Sequence, residues 1–138
     1  MLPTAECRER ASGPLEANIP EGYLVLTRSV LYLTTKPGKR AAVVDGYREL
    51  RILEDALEQE GCLGCELQLS QEDPNLILVT ALWRDAGAYA GWVANPVRER
   101  ARSTIEPLVE GAIEGTLFDI ALHGGSIDIP IPVTARTL

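Results

Sequence analysis

The only histidine of this sequence, His123, is the first residue to consider for chemistry, because few other side chains exchange protons near neutral pH. It follows an apolar strand pattern and precedes the pair Gly124-Gly125, a place where side chains are commonly exposed. Histidine is seldom fully buried, which favours a solvent-facing position. His123 is therefore a candidate general base, with exposure to solvent as the competing interpretation.

The two tryptophans, Trp83 and Trp92, are candidates for binding a flat ligand. A tryptophan ring stacks on aromatic rings and keeps an N–H free for hydrogen bonding. Trp83 ends an apolar strand pattern and suits a core position or a cavity mouth equally well, whereas Trp92 lies in a helical pattern that favours the core. Tyr32 and Tyr89 could donate a hydrogen bond to a substrate carbonyl, while its helical spacing explains Tyr47 as a core residue.

Two arginines are candidates for stabilising anionic oxygen. A guanidinium group placed next to a developing phenolate or peroxide lowers the energy of that charge. Arg102 lies on a predicted helix, where arginines are commonly solvated, and Arg28 lies between aliphatic residues on a predicted strand. Both are predicted catalytic residues together with His123.

The spacing of the cysteines argues against a metal site. Cys62 and Cys65 are three residues apart in a predicted strand, so we expect their side chains on opposite faces. One histidine and one further cysteine, Cys7, leave too few ligands for a four-coordinate site. We therefore expect no metal. No glycine-rich phosphate loop, dinucleotide fingerprint or nucleophile elbow occurs in the sequence, which excludes the usual nucleotide-dependent chemistry.

Charge and composition restrict the partners. The 138 residues carry a net charge of −7 and form one domain of ordinary size. An acidic chain without a basic cluster is a poor ligand for nucleic acid or anionic membranes. No apolar run reaches the roughly 18 residues of a membrane span, and the start lacks a signal-peptide pattern. The odd number of cysteines favours a reducing compartment, so the cytoplasm is the predicted location.

Periodicity then predicts the elements that position these residues. Residues 1–20 are predicted to be a flexible leader, residues 21–123 one α+β domain, and residues 124–138 an extended C-terminal arm. Within the domain we expect a strand over 23–35, a helix from Pro37-Gly38 to Gly61, a strand hairpin over 62–83, helices either side of Asn95-Pro96, and a last strand over 116–123.

The order strand, helix, strand, strand, helix, strand is typical of the ferredoxin-like βαββαβ fold. In that fold an antiparallel sheet carries two helices on one face. The first and third strands have aliphatic residues in both directions, so the other sheet face also needs a cover. Packing of two copies face to face would supply it. The sequence therefore predicts a homodimer.

The chain resembles the antibiotic biosynthesis monooxygenase superfamily, the dimeric α+β barrels. The resemblance rests on the order and spacing of short segments rather than on one motif. These are Lys36-Pro37-Gly38-Lys39, the start of the second strand over 61–67, Glu72-Asp73-Pro74-Asn75 in the hairpin, the strand-end Trp83, and the segment 85–96.

The resemblance implies a cofactor-independent monooxygenase that oxidises an aromatic or polyketide-type molecule with dioxygen. Such enzymes carry an Asn four residues before the strand-three Trp; here that position is Val79. The superfamily's haem degraders carry an iron-ligating His near the position of Arg102, and arginine has no lone pair for iron. The alternatives are a non-catalytic ligand-binding subunit, a polyketide cyclase and, last, haem degradation. No cofactor is expected.

Overall fold

A computed structural model describes residues 26–124 of the chain. The predicted leader over 1–20 and the predicted arm over 124–138 lie outside these residues, apart from Gly124. Of the predicted first strand, residues 23–25 lie outside them as well. In the part of the chain that the structure describes, no helix combines the length and hydropathy needed to cross a membrane.

The described residues form a four-stranded antiparallel sheet and a helical layer. The sheet order is β2-β3-β1-β4, with the first and third strands in the centre. The predicted α+β fold with the ferredoxin-like order of elements is confirmed. The elements are β1 (Thr27–Thr34), α1 (Arg40–Glu49), α2 (Ile52–Glu58), β2 (Cys62–Leu69), β3 (Leu76–Trp83), α3 (Ala86–Val93), α4 (Pro96–Ile105), a 3-10 turn (Glu106–Leu108) and β4 (Glu114–Asp119).

The first helical segment is broken where the sequence predicts one continuous helix. Arg51 adopts a left-handed conformation with φ 55° and separates α1 from α2. The break redirects the chain so that Ile52 and Ala56 are buried in the core. Gly61, predicted to cap this helix, lies beyond its end in the turn into β2, where a Cβ would collide with the Ala88 side chain. Leu50 and Leu57, which would continue the apolar stripe in one unbroken helix, are instead 38% and 53% exposed.

The second helical segment divides where the sequence predicts it. Asp85 caps α3 by accepting a hydrogen bond from the Ala88 N–H at 2.9 Å. Asn95 caps α4 in the same way through the Val97 N–H, and Pro96 occupies the first helical position, where its missing donor costs nothing. The last strand begins and ends earlier than the predicted 116–123, so His123 lies beyond its end.

The sheet has two different faces, because successive side chains of a strand point to opposite sides. Leu33, Ile77, Val79, Ala81 and Trp83 point to the helical layer and form the core with residues of the helices. The alternate residues of the same strands point to the opposite side, on which residues 26–124 place no helix. We call these two sides the inner face and the outer face.

A β-bulge in β2 changes the predicted orientation of the cysteines. Cys62 pairs with Trp83 and Cys65 pairs with Ala81, and both partners belong to the inner face. Leu63, between the paired residues Cys62 and Gly64, has no partner in the register. The prediction that the two thiols lie on opposite faces is wrong, because one extra residue in a strand resets the alternation beyond it.

Candidate functional site

A cavity lies between the inner face and the helical layer. Its volume is about 70 Å³, room for a few water molecules and less than the roughly 150 Å³ that admits benzene in an engineered core. The lining is mostly apolar, and all four helices and three strands contribute to it. The lining residues are Ser29, Leu31, Tyr47, Ile52, Leu53, Ala56, Cys65, Val79, Thr80, Ala81, Trp83, Tyr89, Trp92, Arg98, Ala101, Arg102, Ile105 and Ile113.

Three aromatic side chains form one wall of this cavity. Trp83 is 1% exposed, and its Nε1–H donates to the Ser29 hydroxyl at 2.9 Å. This bond satisfies the indole donor in a buried site and fixes the plane of the ring. Tyr89 meets Trp83 edge to face, with ring centroids 5.7 Å apart. Trp92, one helical turn after Tyr89, is also buried.

The Asp85 cap sets where α3 begins and so places Tyr89 and Trp92 above the sheet. Tyr89 then lies over Gly115 of the edge strand β4. A Cβ added at Gly115 would come within 2.8 Å of the Tyr89 hydroxyl and 2.9 Å of Leu31 Cδ2. Glycine at this position therefore allows the half-buried tyrosine to lie close to the strand.

Two arginines of α4, Arg98 and Arg102, line the cavity. Arg98 is half-buried, and its guanidinium group makes no ion pair or hydrogen bond with any residue of the stretch 26–124. Arg102 donates from Nε to the Glu106 carboxylate at 2.7 Å, and its side chain is 37% exposed. Glu106 neutralises much of the Arg102 charge. None of the lining residues is an Asp or Glu, so the Arg98 guanidinium group leaves this part of the cavity positive.

Tyr47 brings a protonated hydroxyl to the same region. Burial raises the pKa of Tyr47 to about 12, and the nearby Arg98 charge opposes this effect only in part. A phenol with this pKa stays protonated throughout the ordinary pH range. Tyr47 can therefore donate a hydrogen bond to a bound oxygen, but it is a poor general base.

The structure brings four of the seven predicted site residues together. Trp83, Trp92, Tyr89 and Arg102 all line the cavity. Trp83 occupies both of the positions considered for it, the core and the cavity: its ring is buried in the core and also forms part of the cavity wall.

The other three predicted site residues do not reach this cavity. Arg28 and Tyr32 lie on the outer face, because they alternate with the inward-facing Ser29 and Leu33 of β1. His123 is exposed beyond the end of β4. Within a single described chain, none of these side chains can contact a molecule bound between sheet and helices.

Sequence reasoning did not select Arg98, Tyr47 or Ser29 for the site. Arg98 and Arg102 are four residues apart on α4, and the buried Ala101 and Ile105 have the same spacing on the adjacent side of the helix. This spacing in the sequence indicates that both arginines lie next to the buried face of the helix. Tyr47 was assigned to the core, which it does join, but its ring also faces the cavity.

The lining offers hydrogen-bond donors and few acceptors. Val79, where the resemblance places an Asn, faces the cavity with an apolar side chain. Among residues 26–124, no three His, Cys, Asp or Glu side chains lie close enough to hold a metal ion together. The arrangement can hold a flat, mainly apolar molecule against the aromatic wall and stabilise negative charge on an oxygen near α4.

Solved structures with the same fold are numerous. A conserved protein from Methanosarcina mazei is 18% identical with a TM-score of 0.62, over 69% of this chain and 92% of that one. A Shewanella oneidensis protein is 19% identical with a TM-score of 0.61, over 71% and 93%. SnoaB, a cofactor-independent oxygenase from Streptomyces nogalater, is 17% identical with a TM-score of 0.60, over 71% and 95%. At these identities the likeness shows the fold.

Family membership comes from the sequence itself. No curated protein matches the chain. Residues 28–104, from β1 almost to the end of α4, match the family described as Antibiotic biosynthesis monooxygenase. This stretch contains both tryptophans and both arginines of the cavity. The chain belongs to the antibiotic biosynthesis monooxygenase family.

Proposed function

We propose that this protein is a cofactor-independent monooxygenase that oxidises a hydroxylated aromatic or polyketide-type molecule with dioxygen. One observation carries the proposal: a single apolar cavity joins the aromatic wall of Trp83, Tyr89 and Trp92 to the guanidinium groups of Arg98 and Arg102. The description of SnoaB as a cofactor-independent oxygenase on the same fold supports it.

Substrate binding needs the cavity to widen. At about 70 Å³ it is smaller than one aromatic ring requires. Tyr89, Arg98 and Arg102 are among the lining residues that are partly exposed, and outward movement of these long side chains would widen the cavity. A ring entering between them would stack on the tryptophans and bring a phenol or enol oxygen towards the arginines.

The residues present favour ionisation of the substrate by electrostatics rather than by a protein base. No lining residue is a carboxylate or an imidazole. Positive charge from Arg98, with a smaller contribution from Arg102 because Glu106 pairs with it, lowers the pKa of a bound phenol, so that its proton leaves to water. The electron-rich anion then transfers electrons to dioxygen. For an anthrone-type substrate, the ring CH₂ becomes C=O, one oxygen atom of O₂ enters the product, and the other leaves as water.

The direct test is incubation of the purified protein with an anthrone-type phenol under ¹⁸O-labelled dioxygen. We expect quinone that carries one labelled oxygen, with equal consumption of dioxygen and substrate. Arg98→Met should lower turnover by at least about tenfold, since one oxyanion-stabilising group is lost. Arg100→Met, an exposed arginine on the same helix, is the matched control and should leave turnover unchanged.

The same assay separates the alternatives. The lack of a base among the lining residues also suits a non-catalytic ligand-binding subunit. Saturable binding without oxygen uptake would establish that role. A polyketide cyclase would give product without oxygen uptake. Either result would overturn the oxygenase proposal for this class of substrate.

We also propose a homodimer formed through the outer face. Tyr32 and Phe118 are 48% and 52% exposed there, beside Val30 and Leu78. Gln68 donates to Glu66 and Thr80 on the same face, while its Oε1 is buried without a partner among the described residues. A second copy would cover the apolar side chains and could supply the missing donor.

A further inference from the structure

The two cysteines of β2 form a pair that the proposed oxygenase chemistry does not use. The bulge turns Cys62 and Cys65 to the inner face, and both side chains are half-buried. Cys65 also lines the cavity, whereas Cys62 lies opposite Trp83 in the sheet. The pair is therefore built into the wall of the site and still reached by solvent.

Hydrogen bonding makes the two thiols different. Cys65 Sγ–H donates to the Leu53 carbonyl oxygen at 3.3 Å, and Cys62 Sγ–H donates to the Gly64 carbonyl oxygen at 3.8 Å. When Cys62 is ionised, hydrogen bonding from the neighbouring Cys65 thiol lowers the pKa of Cys62 to about 7, although burial opposes this effect. The pKa of Cys65 is raised by the same hydrogen bond, by burial and by the Cys62, Glu54 and Glu66 charges.

We propose that Cys62 and Cys65 are a dithiol that hydroperoxides convert to a disulfide, with Cys62 as the attacking thiolate and Cys65 as the resolving thiol. This inference does not depend on the proposed oxygenase activity. It rests on the juxtaposition that the bulge creates: both thiols lie on the inner face, opposite Trp83 and Ala81, which are two residues apart on β3, and the Cys65 thiol is held by the Leu53 carbonyl.

The chemistry balances with one hydroperoxide per pair. The Cys62 thiolate attacks the distal oxygen of ROOH, the O–O bond breaks, and ROH leaves after taking a proton, which yields a sulfenic acid. Cys65 sulfur then attacks the Cys62 sulfur, and hydroxide leaves as water with the Cys65 proton. In total, two thiols are oxidised by two electrons, ROOH is reduced to ROH, and one water is released.

The local backbone can adapt to bond formation. Leu63 has no partner in the ladder, and nothing lies within 4 Å of the position that a Cβ on Gly64 would occupy. The segment between the two cysteines is thus held by fewer contacts than the rest of the strand. A disulfide would draw Cys65 from the Leu53 carbonyl and change the cavity wall.

The test uses the full-length chain with Cys7→Ser, so that the pair supplies the only thiols. One equivalent of hydrogen peroxide should remove both thiols, lower the intact mass by two hydrogen atoms, and be reversed by dithiothreitol. Peptide mapping without reduction should give one peptide with an internal Cys62–Cys65 bond. This measurement needs no substitution within the pair, so it holds even where the variants below fold poorly.

The variants assign the two roles. In the same background, Cys62→Ala should slow thiol loss by about tenfold or more. The remaining thiol, Cys65, has a pKa at or above the ordinary value for cysteine and is therefore mostly protonated at pH 7. Cys65→Ser removes the second thiol but keeps a hydroxyl that can donate to Cys62, so it should keep a fast-reacting thiol and accumulate a sulfenic acid that dimedone traps. Equal rates for the two variants, or oxygen addition to both cysteines without a bond between them, would overturn the proposal.

Discussion

The inner and outer faces of one sheet show how the same strands serve two purposes. On the inner face, Leu33 and Ile77 are fully buried and Trp83 is nearly so, against the helices. On the outer face, Tyr32 and Phe118 leave about half of each ring exposed. The inner face is closed by the helices and contains the candidate site, whereas no described helix covers the outer face.

The comparison also shows why residue type alone does not identify a site residue. Arg28 and Arg102 are both arginines next to apolar neighbours, yet only Arg102 lines the cavity. Similarly, Tyr32 and Tyr89 are both tyrosines on ordered elements, and only Tyr89 contacts Trp83. The face of the element on which a side chain lies decides its role. Four substitutions test this difference between the faces.

Truncation of the inner face should have the largest effect. Trp83→Ala removes a buried ring and its hydrogen bond to Ser29, and we expect the free energy of unfolding to fall by about 3–5 kcal/mol. Urea denaturation followed by circular dichroism measures this loss. Leu57→Ala, at a position 53% exposed on the helical layer, should cost less than about 1 kcal/mol. Equal losses would contradict the assigned burial.

A charge on the outer face should break the dimer and leave the fold intact. Tyr32→Asp places a carboxylate in both halves of the proposed interface, so we expect dimer affinity to fall about a hundredfold, roughly 3 kcal/mol. Sedimentation velocity across a concentration series measures it. Leu57→Asp, equally exposed but on the other side of the molecule, should not change the association. A wild-type chain that stays monomeric at high concentration would contradict the interface.

The buried Tyr47 should make stability fall at alkaline pH. An unfolded tyrosine ionises near its ordinary pKa of 10.0, whereas burial keeps the folded pKa of Tyr47 at about 12. Ionisation therefore favours the unfolded chain as pH rises from 10 to 12, by up to about 2–3 kcal/mol. Tyr47→Phe should remove this part of the alkaline loss and change stability little at pH 7. The unfolding free energy of each protein is measured from pH 7 to pH 12. The same loss between pH 10 and 12 in both proteins would contradict the raised pKa of Tyr47.

A methyl group at Gly115 should have the smallest effect on stability and a clear effect on the site. Gly115→Ala brings a Cβ within 3 Å of the Tyr89 hydroxyl and Leu31, so one of them must shift, at a cost of about 1–2 kcal/mol. We expect weaker binding of an aromatic probe, measured by quenching of tryptophan fluorescence. Gly124→Ala, with open space around its Cβ position, is the control.

Local signals in the sequence predicted the strands, the antiparallel hairpin and the division of the second helical segment. They succeed at Asp85 and at Asn95-Pro96 because a cap or a proline acts on its immediate neighbours. The break at Arg51 and the bulge after Cys62 were not predicted. Both are backbone adjustments that let neighbouring layers pack, and no single residue type demands either of them.

The order and alternation of apolar residues by themselves determined the fold class, since each element must bury one face and the period of its pattern identifies it. The family followed from the match of residues 28–104 to its sequences. Only the tertiary structure decided which chemically capable side chains meet. It excluded Arg28, Tyr32 and His123 from the cavity, included Arg98 and Tyr47, and turned both cysteines of β2 to the inner face. The physical reason is that one extra residue in a strand, or a small rotation of a helix, turns a side chain from one surface to another without changing the pattern that predicts the element.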